Sequence, residues 1–447
     1  MDLSQLERWY SQAGTPVVHV TQDYDASAQR FTLTLRQHTP STPGQDASTK
    51  LPQVIPVVVG LLDATSGKEI LSSTVLRFDS AEQQFSFENI AARPVLSILR
   101  DFSAPVKLEL EQTDDELCLL MAHDTDSFNR WDAGNRFSTK LILQMAELPL
   151  EAIAQSELPA GYVTAIQSIL EAGKTVGDAG NTSDPSLLAY ALQLPDEATL
   201  LNQMKIANID ALHAARGHVK CTLARTLHAH FDAVYTKTAE KLTNGYQFVP
   251  AEVGRRRLMN TCLDFLTALG DAPAVARAKK QFDMCNNMTD KLAALGCLVS
   301  HPGPERDAAL ATFHHDAAGA ALVLNKWFAI QAGADHAGLA ERVRALKTHP
   351  DFVLSNPNSA RALLSTFSAN LAHFHAADGS GYALVADSII EIDKLNPQVA
   401  ARMVTSFSQW RSFDAARQVL VEGHLRRILA QEKLSRDTLE NVQRCLK

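Results

Sequence analysis

A small all-β, immunoglobulin-like sandwich followed by a large all-α superhelical domain of the HEAT/armadillo kind is the fold class this sequence predicts. Three observations predict it. A chain of 447 residues is too long for one core and divides most naturally into two or three domains. Apolar residues recur with period 2 from Val17 to about Leu110 and with helical period beyond Asp124. Turn chemistry cuts the first part into short runs and the second into a dozen or so helical segments.

Residues 1–13 hold a short amphipathic stretch, with Leu3, Leu6, Trp9 and Tyr10 at helical spacing, and it stops at Gly14-Thr15-Pro16. So short a helix cannot bury its own face, which predicts a packing partner elsewhere. The sandwich is expected over residues 14–112. Phe31-Thr32-Leu33-Thr34-Leu35, Phe85-Ser86-Phe87 and Val106-Lys107-Leu108-Glu109-Leu110 alternate strictly, and Val54 to Leu62 is nearly all apolar. Thr39-Pro40-Ser41-Thr42-Pro43-Gly44 and Asp63-Ala64-Thr65-Ser66-Gly67-Lys68 supply the turns.

Residues 113–447 are expected to be helical throughout. Ser183-Asp184-Pro185, Asn356-Pro357 and Asn396-Pro397 each set a capping side chain before a first-turn proline, where the missing N–H costs nothing. Short connections make sequence neighbours pack as pairs, and paired helices continued over 300 residues stack into a superhelix. No regular sequence period marks a true repeat.

Composition excludes several functions. Hydrophobic residues are 46% and charged residues 21%, and no window approaches the roughly 20 apolar residues of a membrane span. The first residues lack the basic-then-apolar order of a secretory signal, so the expected address is cytoplasmic. Six scattered cysteines without a C-x-x-C pair suit reduced thiols. The net charge of −8, without long blocks of one sign, argues against nucleic acid. Arg255-Arg256-Arg257 is expected to be a solvated helix face.

The search for chemistry finds no catalytic centre. H-E-x-x-H, which places two imidazoles and a general base on one helix face, is absent, and no His precedes Glu anywhere. His213 with His218, His228 with His230, His314 with His315, and His373 with His375 read as surface or packing histidines, without carboxylates at ligand spacing. Asp378-Gly379-Ser380-Gly381-Tyr382 only loosely resembles a nucleophile elbow and reads better as a turn opening a helix. The expected catalytic and metal residues of this chain are therefore none.

Two helix starts offer recognition chemistry. After Asn396-Pro397, an apolar stripe of Val399, Met403 and Phe407 leaves Gln398 and Arg402, four apart, on one polar face. After Asn356-Pro357-Asn358, Arg361 lies off the stripe of Ala360, Leu363, Leu364 and Phe367. Guanidinium and amide groups on rigid first turns suit a carbonyl or carboxylate ligand. On spacing alone, ordinary capped surface helices explain them at least as well.

Longer strings carry a resemblance. Trp9-Tyr10-Ser11-Gln12-Ala13-Gly14-Thr15-Pro16, Leu99-Arg100-Asp101-Phe102-Ser103-Ala104-Pro105-Val106-Lys107-Leu108, Phe128-Asn129-Arg130-Trp131-Asp132, Cys285-Asn286-Asn287-Met288-Thr289-Asp290, Lys326-Trp327-Phe328, Ser355-Asn356-Pro357-Asn358, His375-Ala376-Ala377-Asp378-Gly379-Ser380-Gly381-Tyr382 and Asn396-Pro397-Gln398-Val399 resemble, in order, the C-terminal half of bacterial-type aminopeptidase N, a gluzincin-class zinc aminopeptidase. The second string resembles the last strands of that family's β-domain.

The resemblance implies the following expectations. The chain is the non-catalytic region of a zinc enzyme that removes N-terminal residues from peptides, and it closes and shapes the substrate chamber. Residues 1–13 are the tail of a catalytic domain that this sequence lacks, and zinc belongs to the full-length enzyme, with no cofactor in this chain. Arg361, Gln398 and Arg402 reach substrate. The partners are peptides, met through the missing domain, and neither nucleic acid nor membrane; the chain is a monomer and inactive alone. The alternative is a stand-alone peptide-binding or scaffold module.

Overall fold

The computed structural model describes residues 3–178, 180 and 183–447. Its first part is two antiparallel-rich sheets. Strands β1 (Val17–Asp25), β2 (Arg30–His38), β3 (Ile55–Asp63), β4 (Glu69–Phe78), β5 (Glu82–Phe87), β6 (Pro94–Ile98) and β7 (Lys107–Glu109) form one sheet in the order β5-β2-β1-β7 and another in the order β4-β3-β6. Strand β7 runs parallel to β1, whereas β1–β2 and β3–β4 are antiparallel neighbours.

Alternation decides which residues meet between the sheets. Val18, Val20, Phe31, Leu33 and Leu35 from one sheet join Ile55, Val57, Val59, Leu61, Leu76, Phe78, Leu96 and Ile98 from the other in a single core. Strand β3 is central in its sheet and apolar on both faces, so Leu62 is buried as well as Leu61. Of the string Leu99 to Leu108, residues 99–106 are a connection, and Lys107-Leu108 begin β7. Leu99, Asp101 and Phe102 take positive φ there, and β6 ends at Ile98.

That connection turns Arg100 inward. Only 1% exposed, it donates to Ser97 Oγ (2.8 Å), Glu69 Oε1 (2.6 Å), Ser73 Oγ (3.1 Å) and Asp124 Oδ1 (3.1 Å). A Cβ on Gly60 would lie 2.1 Å from the guanidinium carbon, so the absence of a side chain at 60 is what admits Arg100. Its two carboxylates respond differently. Glu69 is held below its ordinary pKa by the Arg100 hydrogen bond, while burial keeps Asp124 above its own. Asp124 Oδ2 is buried without a hydrogen-bond partner among the described residues.

The first helix, Ser4–Ser11, finds a partner that its spacing did not reveal. Trp9 packs against the sandwich core and donates to Val54 O (2.9 Å). Leu3, Leu6 and Tyr10 stay exposed.

From Asp114 to the end, every described element is helical. Thr113 opens the first of these helices, Asp114–His123, with a reciprocal capping box to Glu116. Packing resolves two compact units: one takes the chain to Ser138 with Pro159–Ala172 and Leu187–Gln193, the other takes Thr139–Leu158, Gly173–Ser186 and Leu194–Lys447. Within the second, His228–Ala239 packs on Pro250–Thr267, Ala272–Met284 on Met288–Val299, and Pro304–Ala317 on Ala321–Ala332, and helices also meet their second neighbours along the chain. That is the contact pattern of stacked helical repeats.

The three-arginine run departs from expectation. Arg255 and Arg256, in helix Pro250–Thr267, are 7% and 4% exposed instead of forming a solvated face. Arg255 donates to Thr238 O and pairs with Glu252 (2.8 Å). Arg256 donates to Gln247 O and lies over the Tyr246 ring. Long aliphatic stems let both heads reach backbone carbonyls on other segments, Arg255 with a carboxylate partner and Arg256 with an aromatic face.

Candidate functional site

Helix Pro397–Val404 starts as its sequence predicts: Asn396 Oδ1 accepts the Val399 N–H (3.3 Å) with Pro397 in the first turn. Met403 and Phe407 are buried, Val399 is partly so, and Gln398 and Arg402 stand one turn apart on the exposed side. Neither side chain has a hydrogen-bond or ion-pair partner among the described residues. The helix itself is fixed by packing on Ser380–Asp393 and Arg436–Leu446.

Arg361 is also exposed but oriented differently. Its Nε donates to Pro357 O (3.1 Å) and its Nη2 to Asn358 Oδ1 (2.6 Å), which ties the guanidinium to its own first turn and leaves Nη1 open. Arg361–Ser365 is one turn of π-helix between α-helical Pro357–Ala360 and Thr366–Ala369. Such wide turns are rare and frequent at functional sites. This segment packs on Ala321–Ala332 and Leu339–Lys347. Gln398 and Arg402 share one helix face.

The histidines find carboxylates that sequence spacing hid. His213 lies between Glu197 (Nδ1 to Oε1, 2.8 Å) and Asp335 (Nε2 to Oδ2, 3.3 Å), and His373 Nε2 reaches the other oxygen of Asp335 (2.9 Å). Hydrogen bonds to Asp335 and then Glu197 raise the His213 pKa to about 10. Asp335 is correspondingly held far below the ordinary carboxylate range, first by His213 and then by His373. A ring charged at neutral pH cannot act as a general base.

Around it lies a recess of about 240 Å³ lined by Lys220, Cys221, Asp264 and Cys297. Burial raises the Cys297 thiol to about 12, which removes it as a nucleophile. His218 serves a structural bond to Ser156 O (2.8 Å). His375 is buried against Tyr382 (Nδ1 to OH, 3.1 Å), and desolvation, with Arg417 second, lowers its pKa to about 3.

Asp378 to Tyr382 is a turn as expected: Asp378 Oδ1 accepts the Ser380 N–H (2.9 Å) and Gly379 has φ 73°. His314 is joined by His349 and Asp351 into the one group of three metal-capable side chains found among the described residues.

Comparison with known proteins matches both parts of the chain. Residues 14–111 match the domain of unknown function DUF3458, with an Ig-like fold, and residues 114–447 match DUF3458_C, described as ARM repeats. Aminopeptidase N of Caulobacter vibrioides is 38% identical over 447 residues and that of Escherichia coli 35% over 458, each alignment covering 100% of this chain and 50% of the relative. A crystal structure of Legionella pneumophila aminopeptidase A in complex with aspartic acid has a TM-score of 0.79 at 30% identity, again over 100% of this chain and 50% of that one. The chain therefore spans about half the length of the curated relatives it matches.

Proposed function

The chain belongs to the DUF3458 family, carrying both its Ig-like and its ARM-repeat part, and from that membership we propose that it is the non-catalytic C-terminal region of an aminopeptidase. In this reading it closes and shapes the chamber in which peptides lose their N-terminal residues. Residues 14–112 are the sandwich domain and 113–447 the helical domain, with residues 1–13 the tail of a catalytic domain. A zinc ion would belong to that other part. The H-E-x-x-H that would hold it is not in this sequence, so no chemical step is assigned to these residues.

The observation that carries the proposal is the pair Gln398 and Arg402, exposed on a capped helix and without side-chain partners among the described residues. An amide and a guanidinium so presented can bind a peptide carbonyl or terminal carboxylate through charge-assisted hydrogen bonds. Arg361, with Nη1 open, is a further contact. A cytoplasmic address fits the six free thiols, and a monomer is part of the same reading.

The test has two arms. The chain alone, with added zinc, should not hydrolyse alanyl chromogenic substrates, and metal-dependent turnover by it would overturn the proposal. In the enzyme joined to its catalytic half, Arg402→Ala should raise KM for tripeptides about tenfold with kcat little changed, the signature of a lost binding contact. Calorimetry adds a third outcome: tight peptide binding by the isolated chain, lost in Arg361→Ala, favours a self-standing peptide-binding module.

A further inference from the structure

We propose that His314, His349 and Asp351 form a site for a divalent transition-metal ion of the zinc type. His314 lies in the last turn of helix Pro304–Ala317, and His349 and Asp351 follow helix Leu339–Lys347. One ligating atom from each lies within 4.8 Å of the other two. The convergence is on a single oxygen: Asp351 Oδ2 is 2.7 Å from His314 Nε2 and 3.7 Å from His349 Nδ1. In a tetrahedral zinc site with bonds near 2.0–2.1 Å the ligand atoms stand about 3.3 Å apart. The two observed separations straddle that value, so small side-chain rotations complete the set.

The rings are held ready for this. His349 Nδ1 faces Asp351, 3.2 Å from its backbone N–H and 3.7 Å from its Oδ2. A metal would replace the long bond from that amide, which belongs to an exposed residue, and the hydrogen bond between His314 Nε2 and Asp351 Oδ2 (2.7 Å), taking the place of its proton between the two ligand atoms. Trp327 supports both imidazoles, with ring centroids 4.9 Å from His314 and 5.1 Å from His349. Its own position is fixed by an Nε1 bond to Leu310 O (2.9 Å). Phe328 closes on His349 from another side, backed by Phe352.

A His–Asp ion pair accounts for only two of the three residues. The second imidazole, 5.2 Å from the first by centroid and nearly perpendicular to it, is what turns the pair into a ligand set. The contrast with His213 is instructive: there the ring lies between two carboxylates and spends one nitrogen on each, leaving no common point for an ion. At His314 the side chains are 34%, 28% and 40% exposed, which leaves a fourth position for water. Two neutral imidazoles and one carboxylate suit zinc, nickel or copper better than magnesium or calcium.

The site does not depend on the aminopeptidase reading. An ion there would tie the segment 348–356 to the end of helix Pro304–Ala317, just ahead of the turn that carries Arg361.

Equilibrium dialysis of the chelator-stripped chain against micromolar Zn²⁺, with elemental analysis, should find one equivalent bound. His314→Ala and Asp351→Asn should each weaken binding about 100-fold or more, while His315→Ala binds as the unaltered chain does. Circular dichroism checks folding, and Asp351→Asn, a change at an exposed residue, decides if His314→Ala unfolds. Cu²⁺ should quench the Trp327 emission, and Trp327→Phe should remove that quenching while keeping the stoichiometry. No zinc bound at micromolar concentration, or binding unchanged in both ligand variants, overturns the site.

Discussion

His213 shows how much a single residue's behaviour depends on partners far away in the chain. Its raised pKa means that the imidazolium stabilises the fold fully below the unfolded value near 6.5, and that this contribution is lost as pH rises through about 10. The side chain is 37% exposed, so solvent screening limits the effect to about 1 kcal/mol. His213→Ala should therefore cost about 1 kcal/mol at pH 6 and close to nothing at pH 10.5, measured by urea unfolding at the two values. An equal cost at both would show that the ring matters only for packing. None of this was legible in the sequence, because Glu197 and Asp335 reach His213 only through folding. Arg417 is similar, buried and bonded through both Nη2 contacts to Asp210, 207 residues away.

At the scale of elements, local signals did better. The caps at Asp184, Asn356 and Asn396 all accept the backbone N–H groups their positions imply, because capping depends only on residues within one turn. Asn396→Ala should cost about 1 kcal/mol of stability, read from denaturant midpoints. It should also weaken any peptide binding that uses Gln398 and Arg402, since a frayed first turn no longer holds them. A variant with unchanged stability would mean that packing on the two neighbouring helices fixes this end without its cap. The strands were readable for the same reason: alternation is a property of adjacent residues. What escaped was the π-helical turn at Arg361–Ser365, whose apolar stripe matches that of a plain α-helix, and the burial of Arg255 and Arg256, set by carbonyls on separate segments.

On the scale of the whole molecule, the change of hydrophobic period near residue 112 marks where one kind of secondary structure gives way to the other, and hydrogen bonding does not respect that boundary. Arg100 reaches Asp124, and Asn129 Nδ2 reaches Ser97 Oγ (2.7 Å) and Ile98 O (3.0 Å). Farther on, Phe137 stacks on Tyr162 at 4.8 Å, with Ser138 Oγ 2.8 Å from the Tyr162 hydroxyl. The same compact unit therefore draws on sandwich and helices, and the backbone leaves and re-enters it more than once. A fragment beginning at residue 113 would carry Asp124 without its arginine, and one beginning at 139 would lay bare Tyr162, which is 0% exposed in the intact chain. No single scissile bond releases either unit whole. Fragments beginning at 113 or 139 should accordingly be recovered as insoluble or protease-sensitive material, and soluble, protease-resistant fragments from either starting point would contradict this.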